Sequence, residues 1–187
     1  MLPAQAGVIP RPARPRDAAR GAPRAGGGDP EGLGAGNLSQ ANTIALVNRL
    51  APKIDLLGPD YYDQWEPIYN ATQAAARFGT SSTFGTMNWW LAKAGSLAKD
   101  LCIPEWGVSS GSQWAGHTGG DNPFYMQYLW DWAVANGLAM ICYFEEPDPY
   151  LLSDITTSAT NPNARAAFQA KVAQYASSVS YTHLTLP

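Results

Sequence analysis

Leu101-Cys102-Ile103-Pro104-Glu105-Trp106-Gly107-Val108, followed by Gly119-Gly120-Asp121-Asn122-Pro123, is the stretch whose reading decides the fold. The apolar run ahead of Glu105 has no polar alternation, which suits a parallel strand covered on both faces. Asp121 or Asn122 is placed to cap a helix, and Pro123 suits its first turn, ahead of a long pattern from Phe124 to Asn136. Glu105 therefore sits where a strand gives way to a loop that leads into a helix. In parallel α/β proteins, ligands bind and catalytic side chains project at that edge. A glutamate at a strand end is most often just solvated or salt-bridged. Here it has Trp106 beside it and an aromatic-rich loop after it.

Upstream, Ile54-Asp55-Leu56-Leu57-Gly58 reads as a second buried strand running into Pro59-Asp60-Tyr61-Tyr62-Asp63. Alternation puts Asp60 and Tyr62 on one face and Tyr61 on the other, and Pro59, lacking an N–H, weakens the ladder there. Leu38 to Leu50 reads as a helix with Ser39 near its cap, ended by Ala51-Pro52. Gln64 to Phe84 is a long connection holding Trp65 and a short helix around residues 72–77, and Thr86 to Lys99 is an amphipathic helix. Downstream, the polar loop Ser109–Gly120 carries Trp114 and His117. A third buried strand, Leu138 to Phe144, runs into Glu145-Glu146, with Tyr143 and Glu145 on one face by alternation. Asn163 to Ser177 closes with a helix whose apolar positions are Ala166, Ala167, Ala170, Val172 and Ala173.

Pro104-Glu105-Trp106-Gly107-Val108, taken with Gly-Gly-Asp-Asn-Pro-Phe-Tyr at 119–125, resembles the glycoside hydrolases of family twenty-six and close relatives, the β-mannanase type. The resemblance runs from about Ile54 to Val172. It implies an α/β fold, a partial (β/α)8 TIM barrel comprising roughly the last three βα units, with Ile54–Asp63 as the sixth strand and Leu138–Phe144 as the eighth. It makes Glu105, at the end of the seventh strand, the nucleophile of a retaining glycosidase, and Tyr62 the tyrosine that hydrogen-bonds it. Asp60, Tyr62, Trp106, Trp114, His117 and Tyr143 become candidate substrate contacts, with Trp114 stacking on a sugar and His117 bonding a hydroxyl.

Retaining glycosidases use two carboxyl groups about 5–5.5 Å apart, one attacking the anomeric carbon and the other serving as acid and then base. The resemblance puts the acid/base at the end of the fourth strand, which would fall before Leu38. Only Glu31, between Pro30 and Gly32, is found there, and neither Glu66, Glu145 nor Glu146 matches that position. Three βα units cannot close a barrel, so the chain by itself is expected to be of low stability and inactive. The expected partner is a β-linked polysaccharide or oligosaccharide, mannan-type first, with a monomeric full-length form and a secreted location; no cofactor is implied. Two other readings stay open. One is a non-catalytic carbohydrate-binding remnant using Trp65, Trp106, Trp114 and Tyr143 as platforms. The other is a different α/β enzyme in which Glu105 is a general base or merely structural.

Composition agrees with a single domain. At 187 residues the chain is long enough for a proper core, though short of the roughly 250 of a whole barrel. A net charge of −3 speaks against nucleic-acid binding, and no apolar run approaches the roughly 20 residues of a membrane span. Cys102 and Cys142 fall within two buried strands and read as free thiols, and with no second His or Cys beside His117 no metal site is expected.

Residues 1–36 are almost entirely Ala, Arg, Gly and Pro, with no helical or strand period; they read either as a disordered basic tail or as GC-rich sequence translated out of frame. Pro10, Pro12 and Pro15 interrupt any signal-peptide core. Residues 179–187, Val-Ser-Tyr-Thr-His-Leu-Thr-Leu-Pro, coincide with one reading frame of a transposase adaptor used in sequencing libraries, so His183 is given no chemistry. The organisation expected is thus 1–36 as a separate segment, 37–178 as barrel, and 179–187 as the adaptor-derived tail.

Overall fold

Every strand of the sheet pairs with one central strand. The computed structural model describes residues 39–112, 116–157 and 159–176; the segments 1–36 and 179–187, and Trp114, lie outside them. Among the described residues the order is α1 (Gln40–Leu50), a single 3-10 turn (Ala51–Lys53), β1 (Leu56–Leu57), β2 (Tyr61–Tyr62), α2 (Ala71–Phe78), α3 (Met87–Ser96), β3 (Asp100–Gly107), α4 (Pro123–Ala135), β4 (Met140–Tyr143) and α5 (Pro162–Ala176). The result is a mixed α/β arrangement around a small, wholly parallel sheet.

β1 and β2 are successive stretches of one interrupted path along β3. Leu56 and Leu57 face Asp100 and Leu101, and Tyr61 and Tyr62 face Trp106 and Gly107. The break falls at Gly58-Pro59-Asp60, as expected of a proline without a ladder donor. Gly58 is needed for a second reason: a Cβ there would lie 1.6 Å from the carbonyl oxygen of Cys102. β4 pairs with β3 through Cys102↔Met140, Ile103↔Ile141 and Trp106↔Tyr143. Trp106 thus has a partner on each side.

Both registers slip at the same place. From Ile103 to Trp106 is three steps on β3 against two on β4, from Ile141 to Tyr143. From Leu101 to Trp106 is five against four on the other edge, from Leu57 to Tyr61. The extra residue is a bulge at Pro104-Glu105, which breaks simple alternation and re-aims the side chains after it. Ile103 and Trp106, three apart, therefore both face the helices and are fully enclosed, while Pro104 and Glu105 are half-buried.

The helices and one face of the sheet share a single apolar core: Val47 of α1, Phe78 of α2, Trp90 of α3, Leu129 and Trp130 of α4 and Ala167 of α5 join Leu57, Tyr61, Ile103, Trp106 and Ile141. On the other face Leu56, Asp60, Met140 and Cys142 are half-buried, while Cys102 and Tyr62 are buried. The expectation of a strand covered on both faces holds for Leu101-Cys102-Ile103, all of them buried, and not for β4, where Met140 and Cys142 are half-buried.

Local chemistry starts the helices. Asn70, Thr86 and Asn122 each accept a bond from a first-turn backbone N–H, at 3.0, 3.3 and 3.1 Å. Of the two capping candidates before α4, Asn122 serves that helix, while Asp121 reaches across to the start of α5 and accepts from the N–H groups of Asn163 and Ala164 at 2.9 and 2.7 Å. The inward face of α5 also differs from the one expected. Ala164 and Ala167 are buried with Phe168, Val172 and Tyr175 packed alongside, whereas Ala166, Ala170 and Ala173 are exposed. The larger side chains carry more apolar area than any alanine and set the face.

Candidate functional site

The bulge turns Glu105 toward the half-open face of the sheet, where it meets Tyr62 from the neighbouring strand. The Tyr62 hydroxyl donates to Glu105 Oε1 at 2.6 Å. Burial, and then the Glu105 carboxylate, hold this phenol far above its ordinary range, so it remains a donor at any physiological pH. Tyr62 packs edge-on against Phe144 at 6.3 Å, and a Cβ at Gly107 would come within 3.3 Å of its ring. Asp60 is half-buried and close enough for its charge to push the Tyr62 phenol up as well.

The next residue anchors this end of the sheet. Asp63 is fully buried. Its carboxylate accepts from Ile68 N at 3.1 Å and Asn122 Nδ2 at 2.6 Å, and faces Arg77 at 3.4 Å. Its backbone N–H donates to Gly107 O at 3.1 Å, and its carbonyl accepts from Gly119 N at 2.8 Å. Arg77 also donates to the carbonyl of Tyr62 and lies 4.8 Å from the centre of the Tyr61 ring. Burial raises the Asp63 carboxyl to about 6, against the lowering effect of Arg77, Asn122 and the Ile68 N–H. This anchor was not legible in the sequence. Asp63 and Asn122 are 59 residues apart, and no local pattern marks either as a partner of Arg77.

One sequence-predicted contact is corrected, and a second, Tyr143, is half-buried and packs toward the core. Trp106 is fully enclosed, with Tyr125, Trp130 and Phe168 around it, and has no face to offer a sugar. Tyr143 shares the helix-facing side with Ile141. Its ring packs 5.1 Å from Trp106 and 5.4 Å from Phe168, and its hydroxyl donates to Ser153 O at 2.7 Å. His117 is exposed and stacks on the indole of Trp65, with ring centres 4.3 Å apart.

Glu145 and Glu146 are engaged within their own loop. Glu145 Oε1 accepts from the N–H groups of Ile155 and Thr156, both at 3.0 Å. Burial and the adjoining Asp154 push the Glu145 carboxyl up, while Asp154 is held well below the carboxylate range by Glu145 and by Thr156 and Thr157. Glu146 Oε1 accepts from Asp148 N at 2.9 Å, and Glu66 is exposed. Cys102 and Cys142 are free thiols. Burial, then Cys142 and Asp60, raise Cys102 to about 12, which makes it a poor nucleophile. Among the described residues no group of three or more His, Cys, Asp or Glu could hold a metal ion, and no helix is long and apolar enough to cross a membrane.

No protein-family model, curated protein or solved structure matches the chain.

Proposed function

We propose that this chain is part of a retaining β-glycanase, acting first on mannan-type polysaccharide, with Glu105 as its nucleophile. The observation that carries the reading is the 2.6 Å hydrogen bond from Tyr62 to Glu105 Oε1 at the carboxyl end of a parallel sheet. With Oε1 held by the phenol, Oε2 attacks the anomeric carbon. The glycosidic C–O bond breaks, its oxygen takes a proton from an acid group, and water then hydrolyses the glycosyl ester. No residue of this chain is assigned as that acid.

The winding of the sheet supports a barrel. The three parallel paths follow one another in chain order, without the reversal that defines a doubly wound sheet. Right-handed crossovers running in one direction put every helix on one face, the arrangement that closes into a (β/α)8 barrel with its helices outside. In this reading the half-open face is barrel interior, and the outer edges of β1–β2 and of β4 are strand edges that further βα units would cover. Secretion and a monomeric full-length form belong to the same reading. A non-catalytic carbohydrate-binding role is the second reading, favoured by the exposed ring stack of Trp65 and His117.

An activated substrate tests the nucleophile without needing the acid. The purified chain is incubated with a 2-deoxy-2-fluoro-β-mannosyl fluoride, whose fluoride leaves without protonation. The expected result is a mass increase on the peptide containing Glu105, absent in Glu105→Gln, with no hydrolysis of unactivated mannan. An adduct elsewhere, or none on a folded chain, removes Glu105 from the role. Robust cleavage of mannan by the chain alone would overturn its expected inactivity.

A further inference from the structure

We propose that Cys102, Met140 and Cys142 form a binding site for a soft monovalent metal ion, copper(I), on the half-open face of the sheet. The site does not rest on the glycanase reading. Register brings the three sulfur-bearing residues together. Cys102 of β3 stands directly opposite Met140 of β4, and Cys142 lies two residues further along β4. Side chains two apart on a strand share a face. Ile103 and Ile141, the next pair of the ladder, belong to the helix-facing core, so Cys102, Met140 and Cys142 take the opposite face. The two cysteines are near enough for the charge of one to act on the other.

Spacing decides what can join them. Neighbouring strands lie about 4.8 Å apart and each residue rises about 3.3 Å, so a diagonal of two residues separates the Cα atoms by about 8 Å. A disulfide spans at most about 7 Å between Cα atoms without moving the backbone, and both cysteines are thiols. One ion held between the sulfurs adds two metal–sulfur bonds of about 2.3 Å in place of a single S–S bond of about 2.0 Å. The longer bridge fits the diagonal.

The donor set selects the ion. Two thiolates and a thioether are soft ligands, which favour copper(I). Zinc prefers four ligands drawn from Cys, His and carboxylate, and among the described residues no third His, Cys, Asp or Glu joins the pair. Calcium and magnesium take oxygen donors. Charge favours a cation as well, because Asp60, half-buried on the same face, acts on Cys102 with its negative charge. Cys102 is 5% exposed while Met140 and Cys142 are half-buried, so an ion entering from the open face is held down against the strand. Binding is ligand exchange with no change of oxidation state. Each thiol gives its proton to water and a sulfur lone pair to copper, so affinity rises with pH.

The test titrates the reduced full chain with copper(I), under nitrogen and near neutral pH, against bicinchoninate, a coloured chelator of that ion. One ion per chain is expected, with sulfur ligands alone by X-ray absorption. Affinity should fall about a hundredfold in Cys142→Ser and about tenfold in Met140→Leu. Both residues are half-buried and Met140→Leu conserves volume, so these variants keep the fold where Cys102→Ser would bury a hydroxyl. Urea midpoints distinguish a folded site from two thiols that merely share a chain. Copper(I) should raise the midpoint of the unaltered chain and leave that of Cys142→Ser in place, and zinc(II) should move neither. No stoichiometric ion, an affinity unchanged in either variant, or a midpoint that copper(I) fails to raise or zinc(II) raises equally, overturns the site.

Discussion

Glu105 and Glu145 stand at the carboxyl ends of adjacent parallel strands, and the two are put to different uses. Glu105 is re-aimed by a bulge onto the half-open face and meets one side-chain donor, Tyr62, at 2.6 Å. Glu145 is turned into its own loop, where it accepts two backbone N–H groups and lies against Asp154. A carboxylate whose partners are backbone groups of its own loop holds that loop in shape. One whose partner is a side chain across the sheet edge can act on a ligand. Position at a strand end makes both candidates, and partners separate them.

The strongest way to break this comparison is to remove what holds the Glu105 bulge from behind. Trp106 is fully enclosed, so Trp106→Ala should cost about 3–5 kcal/mol, measured by urea denaturation. A loss under about 1 kcal/mol would mean that the bulge does not depend on core packing.

Next in size is the anchor under Tyr62. Arg77→Ala leaves the buried Asp63 carboxylate without its cation and should cost about 3 kcal/mol. The same carboxyl gives a pH signature. With its folded value raised to about 6 from an ordinary 3.8, the folded chain binds more protons than the unfolded one between those values. The contribution of Asp63 to stability therefore grows as pH falls from about 6 toward 4, and is smallest above that window. Denaturation midpoints at pH 7 and pH 5 should show this gain in the unaltered chain and lose it in Asp63→Asn. An equal pH dependence in the two proteins would assign it to other groups.

The smallest effect is expected at the Glu145 loop. Asp154 accepts from Thr156 N at 2.7 Å and from Thr157 Oγ1 at 3.1 Å. Asp154→Asn should cost about 1–2 kcal/mol and speed amide exchange at residues 155–157, while amides around Tyr62 keep their protection. Exchange that quickens equally at both places would dissolve the distinction between the two glutamates.

The positions of the helices and the interrupted second strand were legible because their signals are local. A capping side chain lies within three residues of its N–H, and Pro59 breaks a ladder wherever it stands. The Tyr62–Glu105 pairing was also within reach, since both residues fall at strand ends and the motif around Glu105 resembles a known family. The Asp63–Arg77–Asn122 anchor was not, because its members meet only after α2 and α4 have docked.

The sequence by itself determined that three apolar segments form parallel strands, with polar and aromatic residues gathered at their carboxyl ends. Hydrophobic runs bounded by turn residues suffice for that. Only the tertiary structure decided which of those residues enter the core and which leave it. Plain alternation would put Glu105 on the same face as Ile103 and turn Trp106 the other way. One extra residue at Pro104-Glu105, visible only as a slip against both neighbouring strands, exchanges them. The indole goes into the core, because burying its large apolar surface stabilises the fold, and the carboxylate goes to the half-open face, because burying a charge beneath the helices would cost more than the bulge does.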